Sequence, residues 1–78
     1  MKAKVKNQTL QTPLSKAMAF HQNGKLEAAE EVYKEILKSN PKSFDALHLL
    51  GVIAGQKGND ELAIDLISKA ITIQIKDA

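Results

Sequence analysis

Apolar residues recur along most of the chain at steps of three and four, which places them on one side of an α-helix. Three turn sequences interrupt this pattern: Asn23-Gly24, Asn40-Pro41 and Gly58-Asn59. Glycine can end a helix in the left-handed conformation, and proline drives the residue before it out of the helical region. The residues suited to cap helix beginnings are Thr12 (ahead of Pro13), Ser43, and Asn59 or Asp60. The pattern therefore predicts four helices: 13 to the first turn, from there to about 39, 44 to about 57, and a last one after the third turn.

The third and fourth predicted helices depart from an ordinary amphipathic pattern. The third is apolar almost all round, so it must be covered on more than one side. Gly51 in its middle costs about 1 kcal/mol relative to alanine, and we expect it to allow the close approach of a neighbouring helix. The fourth ends in Thr72-Ile73-Gln74-Ile75, an alternation that by itself would indicate a strand. The second half of the chain repeats the first, and the repeat places these residues at the end of a helix.

The second half of the chain repeats the first at a shift of 34 residues, as from Glu27 to Glu61. Small residues align with small ones and bulky residues mostly with bulky ones. The aligned pairs include Ala17 with Gly51, Gln22 with Gln56, Ala29 with Ala63, and Tyr33 with Ile67. A period of this size is typical of stacked helical pairs. The chain divides into two units, 10–43 and 44–77, behind a short segment, 1–9.

Composition narrows the class of protein. Seventy-eight residues, 44% of them apolar, make one small domain. The absence of cysteine excludes disulfides and cysteine-ligated metal sites, and we expect a cytoplasmic protein. Lys2, Lys4 and Lys6 produce the net charge of +2; without them eight lysines face nine acids, a net of −1. We expect segment 1–9 to be a basic, solvated tail. It lacks the apolar region of a secretory signal, and no apolar run is long enough to span a bilayer.

These aligned residues resemble the tetratricopeptide repeat family, whose unit is a 34-residue helix–turn–helix with small and large residues at set positions. The second unit matches through Leu47, Leu50, Gly51, Gly58, Ala63, Ile67 and Ala70, and the first through Ala17, Phe20, Gly24, Ala29, Tyr33 and Pro41. Pro13 and Lys16 depart from the pattern, as in an end repeat that faces water. Ile75 stands in place of the closing proline of the second unit. The resemblance implies an all-α fold, an α-solenoid of two antiparallel hairpins stacked in a right-handed superhelix.

The resemblance also implies a concave groove lined by the first helix of each unit, in which a peptide or a helix of a protein partner binds. Carried over by position, the groove residues are Leu14, Met18, His21, Gln22, Asp45, His48, Val52 and Gln56. Relatives that bind a terminal carboxylate use Lys and Asn where Leu14, Met18 and Val52 stand here. A carboxylate needs such donors, so we expect a less charged partner.

The two histidines raise the question of catalysis or metal binding. Asp45 and His48 have a usable spacing on one helix face, but a metal site needs at least three converging ligands. We expect His21 and His48 near opposite ends of their helices, too far apart to act together. No catalytic triad, phosphate-binding loop or carboxylate pair can be assembled. The chain is therefore predicted to be a non-enzymatic protein without metal or cofactor.

The end of the second unit predicts self-association. Two repeats fall below the three or so that such stacks usually need. Ile64, Ile71, Ile73 and Ile75 lie where a third unit would cover them, and exposed apolar surface of that extent marks an interface. We expect a homodimer or higher oligomer. It could form side by side through the fourth helix, or by a domain swap in which the turn 55–60 straightens.

Two other functions are also compatible with the sequence. The run His48–Ile53 loosely resembles the opening repeats of long bacterial proteins that end in a glycosyltransferase or methyltransferase, so the chain could be an N-terminal segment of such an enzyme. The three tail lysines could instead contact nucleic acid. Three charges without interleaved aromatic residues are weak support for that, and such binding would be strongly salt-sensitive.

Overall fold

In a computed structural model, residues 12–77 are described, and they form four α-helices. The helices are α1 (Pro13–Gln22), α2 (Leu26–Ser39), α3 (Phe44–Gln56) and α4 (Asp60–Asp77). Each packs against the next in the chain, so α1 with α2 and α3 with α4 are two helical hairpins joined through α2 and α3. The described part of the chain contains no strand. The predicted all-α architecture is confirmed, whereas the tail 1–9 lies outside the described residues.

Side-chain caps begin three of the four helices, at the residues that the sequence indicated. In each, an oxygen at the position before the helix accepts a hydrogen bond from a backbone N–H of the first turn. These bonds are Ser15 N–H to Thr12 Oγ1 (3.2 Å), Ala46 N–H to Ser43 Oγ (3.3 Å) and Leu62 N–H to Asn59 Oδ1 (3.3 Å). Helix α2 begins without such a cap.

The two hairpin turns are built alike. Gly24 and Gly58 have φ of 78° and 86°, which glycine adopts without the steric cost of a β-carbon. In the first turn the N–H of Lys25 donates to the carbonyl of Phe20 (2.9 Å), and in the second the N–H of Asn59 donates to that of Ala54 (2.8 Å). These are the long-range bonds of a glycine-centred helix C-cap. The 34-residue repeat thus extends to individual hydrogen bonds.

Small residues set the distance between α3 and α4. A β-carbon at Gly51 would lie 2.7 Å from Ile67 Cγ1 and 3.3 Å from the Ala63 carbonyl oxygen, closer than such atoms normally approach. The prediction that Gly51 allows a neighbouring helix to come close is confirmed, and α4 is that helix. The core around this contact combines small and large buried residues: Ala17, Ala29, Tyr33, Ala46, Leu47, Leu50, Ile53, Ala54, Leu66 and Ala70.

Helix α4 continues through the segment whose alternation resembled a strand. Thr72 Oγ1 donates to the Ser68 carbonyl one turn earlier (2.9 Å), a bond that helix geometry provides. The helical assignment is confirmed. Within this last part Ile73 packs against the core, whereas Ile75 is exposed.

An ion-pair cluster connects the two hairpins. Lys57 Nζ, just after α3, donates to Glu30 Oε1 of α2 at 3.1 Å and lies 3.5 Å from Glu27 Oε2. The hydrogen bond with the Glu30 carboxylate is the main reason that the pKa of Lys57 is raised. Exposed ion pairs contribute little to stability, so this cluster orients α3 on α2 more than it stabilises the fold.

Candidate partner-binding groove

The eight predicted groove residues lie on α1 and α3, the first helix of each hairpin. Helix α1 carries Leu14, Met18, His21 and Gln22, and α3 carries Asp45, His48, Val52 and Gln56. We call this pair of faces the groove. Met18 is 40% exposed, and Gln22, Asp45 and Gln56 are exposed as well. The other four side chains are half-buried.

A side-chain hydrogen bond joins the two walls of the groove at one end. His21 Nε2–H donates to Gln56 Oε1 at 2.8 Å, across 35 residues of sequence. Both residues belong to the predicted set, but the sequence did not indicate that they pair. The bond commits Nε2 of His21 to the protein and leaves Nδ1 for another contact.

Next to this bond is a cleft whose wall comes from three helices. Met18, His21 and Gln22 of α1, Tyr33 of α2 and Leu49 of α3 enclose about 230 Å³. We call it the Tyr33 cleft. Tyr33 and Leu49 were missed from the sequence, because their spacing marks them only as core residues.

Tyr33, one of the residues that line this cleft, carries an unusual polar atom. Its side chain is fully buried, and its hydroxyl has no hydrogen-bond partner among the described residues. Burial, and secondarily the negative charge of Asp45, raise the pKa of this phenol. The equivalent position in the second repeat is Ile67. A tyrosine where the other repeat carries an aliphatic residue was the available signal, since a buried phenol usually needs a partner for its hydroxyl.

The remaining predicted residues divide between two places. Leu14, Met18 and Gln22 line a shallow depression of about 420 Å³ along α1, together with Thr12, Ser15 and Ala19. On α3, the ring of His48 stacks on that of Phe44, with centroids 5.6 Å apart and planes inclined by 7°. Asp45, His48 and Val52 do not line the Tyr33 cleft; Leu49 represents α3 there.

A second surface lies on α4. Ile64, Ile71 and Ile75 are 66%, 48% and 68% exposed. Their separations of seven and four residues place them on one side of the helix. We call these three residues the α4 stripe. Ile73, predicted to lie with them, faces the other way and packs against the core.

Among residues 12–77, no group of three His, Asp or Glu side chains is arranged to hold a metal ion. No helix in that range combines the length and the apolar character needed to cross a membrane.

Comparison with known proteins connects the chain with a family of repeats. The family model described as tetratricopeptide repeat matches residues 14–78, most of the 78-residue chain. No curated protein and no solved structure matched the chain.

Proposed function

The chain belongs to the tetratricopeptide repeat family, and from that premise we propose that it binds an uncharged segment of a protein partner, as a peptide or a helix, in the groove. Repeats of this family generally act as protein-interaction scaffolds and are typically non-catalytic. The observation that carries the proposal is the Tyr33 cleft, which opens between α1 and α3 beside three predicted groove residues.

The chemistry of the groove supports an uncharged partner. Leu14, Met18 and Val52 are apolar, and no lysine lines either depression of the α1 side. A carboxylate or phosphate would therefore lose its water shell without gaining a lysine cation in return. An apolar segment with its main-chain groups available loses less on desolvation, and so it is the better occupant.

A peptide library displayed on phage and panned against the full chain tests this proposal. Peptides that are enriched are synthesised and measured against the wild type and against a Leu14→Glu, Val52→Glu double variant. We expect the two carboxylates to weaken binding at least tenfold, because they place charge against an apolar ligand (about 1.4 kcal/mol per factor of ten). Gln74→Glu, an exposed change on α4, is the control and should leave affinity unchanged. Binding that survives the double variant would refute the groove.

We further propose that two copies of the chain associate through the α4 stripe. On α2 the residue equivalent to Ile71 is Leu37, which is half-buried and packs against the core. On α4, Ile71 is 48% exposed. In stacked repeats, the next helix of the stack usually buries an apolar residue in the position of Ile71.

The residues at the other end of the stack support one mode of contact between copies, the pairing of α4 with α4. Four buried residues of α3 that serve the core have exposed counterparts 34 residues earlier, on or next to α1. The pairs are Ala46 with Thr12, Leu47 with Pro13, Leu50 with Lys16, and Ile53 with Ala19. A head-to-tail stack would press Lys16 against the isoleucines, which costs desolvation of its charge. A two-fold pairing of α4 with α4 places apolar surface on apolar surface instead.

A further inference from the structure

We propose that the Tyr33 cleft is a recognition subsite in which the Tyr33 hydroxyl donates a hydrogen bond to a main-chain carbonyl of the bound segment, while Met18 and Leu49 contact the apolar side chain next to it. This inference rests on the proposed function of the groove and deepens it. It names the protein atom that contacts the ligand, the Tyr33 hydroxyl, and the kind of ligand group that this atom binds, a main-chain carbonyl.

The hydroxyl is available for such a bond. It is buried against water and has no partner among the described residues, a state that costs free energy until an acceptor arrives. Packing does not require it, because the second repeat fills the equivalent position with the aliphatic Ile67. Because the described residues supply no acceptor for the Tyr33 hydroxyl, a ligand can supply one.

The surroundings of the hydroxyl favour a neutral acceptor. None of the five side chains that enclose the cleft is a lysine or an arginine, and His21 Nε2–H already donates to Gln56. The Asp45 carboxylate is close enough to act on the phenol, so it would also repel a carboxylate or a phosphate. An amide carbonyl accepts a hydrogen bond without that repulsion.

The size and the rim of the cleft favour one side chain as occupant. Its volume of about 230 Å³ is below the roughly 300–1,000 Å³ of small-molecule pockets. The walls from Met18 and Leu49 are apolar. Met18 and Gln22, which also line the cleft, are exposed and unbranched, so their side chains can rearrange around a bound segment.

The test compares the wild type with Tyr33→Phe, using the synthetic peptides selected by panning and chosen without tyrosine or tryptophan. Affinity for the variant should fall about three- to tenfold, the range that one neutral hydrogen bond gives. Thr72→Val, which removes a hydroxyl from α4, should bind like the wild type. Because Tyr33 is the only tyrosine and the chain has no tryptophan, the intrinsic fluorescence of the wild type should also change on binding.

The outcomes separate this subsite from the groove itself. If Tyr33→Phe binds as tightly as the wild type while Leu14→Glu, Val52→Glu does not, the groove stands and the subsite is overturned; a water-satisfied hydroxyl would give that result. If the melting temperature of Tyr33→Phe falls well below that of the wild type, the hydroxyl has an internal partner and the subsite is again overturned. If no peptide depends on Leu14 and Val52, the groove is refuted, and the subsite with it.

Discussion

Tyr33 belongs to the hydrophobic core and also lines the cleft of the proposed groove. Its ring fills the space between α1, α2 and α3, with no exposed surface. Its hydroxyl is buried and has no hydrogen-bond partner among the described residues. Burial and the charge of Asp45 both favour the protonated phenol, so its pKa lies above the ordinary value of 10.0. The protonation state of this residue is therefore linked to folding.

We predict that the free energy of unfolding falls as the pH rises above about 10, where an unfolded tyrosine loses its proton. The folded chain holds the proton more tightly than the unfolded chain, so stability is full below that pH and is lost as the pH rises through the folded pKa. Urea unfolding at several alkaline pH values measures this. Tyr33→Phe is the control that removes only this contribution, since the lysines titrate in both proteins. Parallel curves for the two proteins would contradict the prediction.

At the scale of elements, the contact between α3 and α4 determines how tightly the second hairpin closes. Gly51 lies at the point of closest approach, and Gly55 lies one turn further along the same helix. A β-carbon at Gly55 would meet only Ala63 Cβ, at 3.8 Å, which is an ordinary contact. The two glycines are thus chemically identical and differ in the space around them.

Alanine at these two positions should shift stability in opposite directions. Gly55→Ala gains helix propensity and should stabilise by up to about 1 kcal/mol. Gly51→Ala gains the same propensity but forces Ile67 and the Ala63 carbonyl apart, and overpacking of this kind typically costs about 1–3 kcal/mol. We expect a net loss of stability at Gly51 in urea unfolding. An equal gain in both variants would show that α4 is not held close to α3.

The sequence predicted elements better than the contacts between them. Caps and glycines mark helix ends through local chemistry, so the four helices followed from residues such as Thr12 and Gly58. The placement of Ile73 with the α4 stripe did not hold. Ile73 is nine residues from Ile64, about two and a half turns, and so faces the opposite side of the helix. Helical spacing alone would have separated the two.

Contacts between distant segments could not be predicted in this way. The bond from His21 to Gln56 and the ion pair of Lys57 with Glu30 depend on how one hairpin is set upon the other. Spacing within a helix contains no information on that geometry. The lack of a partner for the Tyr33 hydroxyl could not be predicted either, because the cleft that Tyr33 lines is formed by residues of three helices.

At the scale of the whole molecule, the two ends of the stack differ in character. The exposed side of α1 carries Lys16 and Pro13, whereas the exposed side of α4 carries the three isoleucines of the α4 stripe. An interface through α4 would leave the groove between α1 and α3 open on each copy. Partner binding and self-association are therefore compatible in one assembly. The alternative of a repeat segment from a larger transferase stays a prediction.

Sedimentation velocity tests the association at this scale. We expect the wild type to sediment as a dimer or larger species at micromolar concentration, and Ile71→Glu with Ile75→Glu to sediment as a folded monomer. The added carboxylates would have to be desolvated in the interface, which opposes pairing. Gln74→Glu adds one carboxylate outside the three stripe residues and should behave as the wild type. A wild type that is folded and monomeric under these conditions would refute self-association.

The groove between α1 and α3 is tested most directly by mapping where a selected peptide binds. Amide and methyl NMR signals of the isotope-labelled wild type are followed as the unlabelled peptide is added. We expect the largest shifts on α1 and α3, around Met18, His21 and Gln56, and on Leu49 of the Tyr33 cleft. Shifts confined to α4, with α1 and α3 unchanged, would contradict a groove between the first helices of the two hairpins.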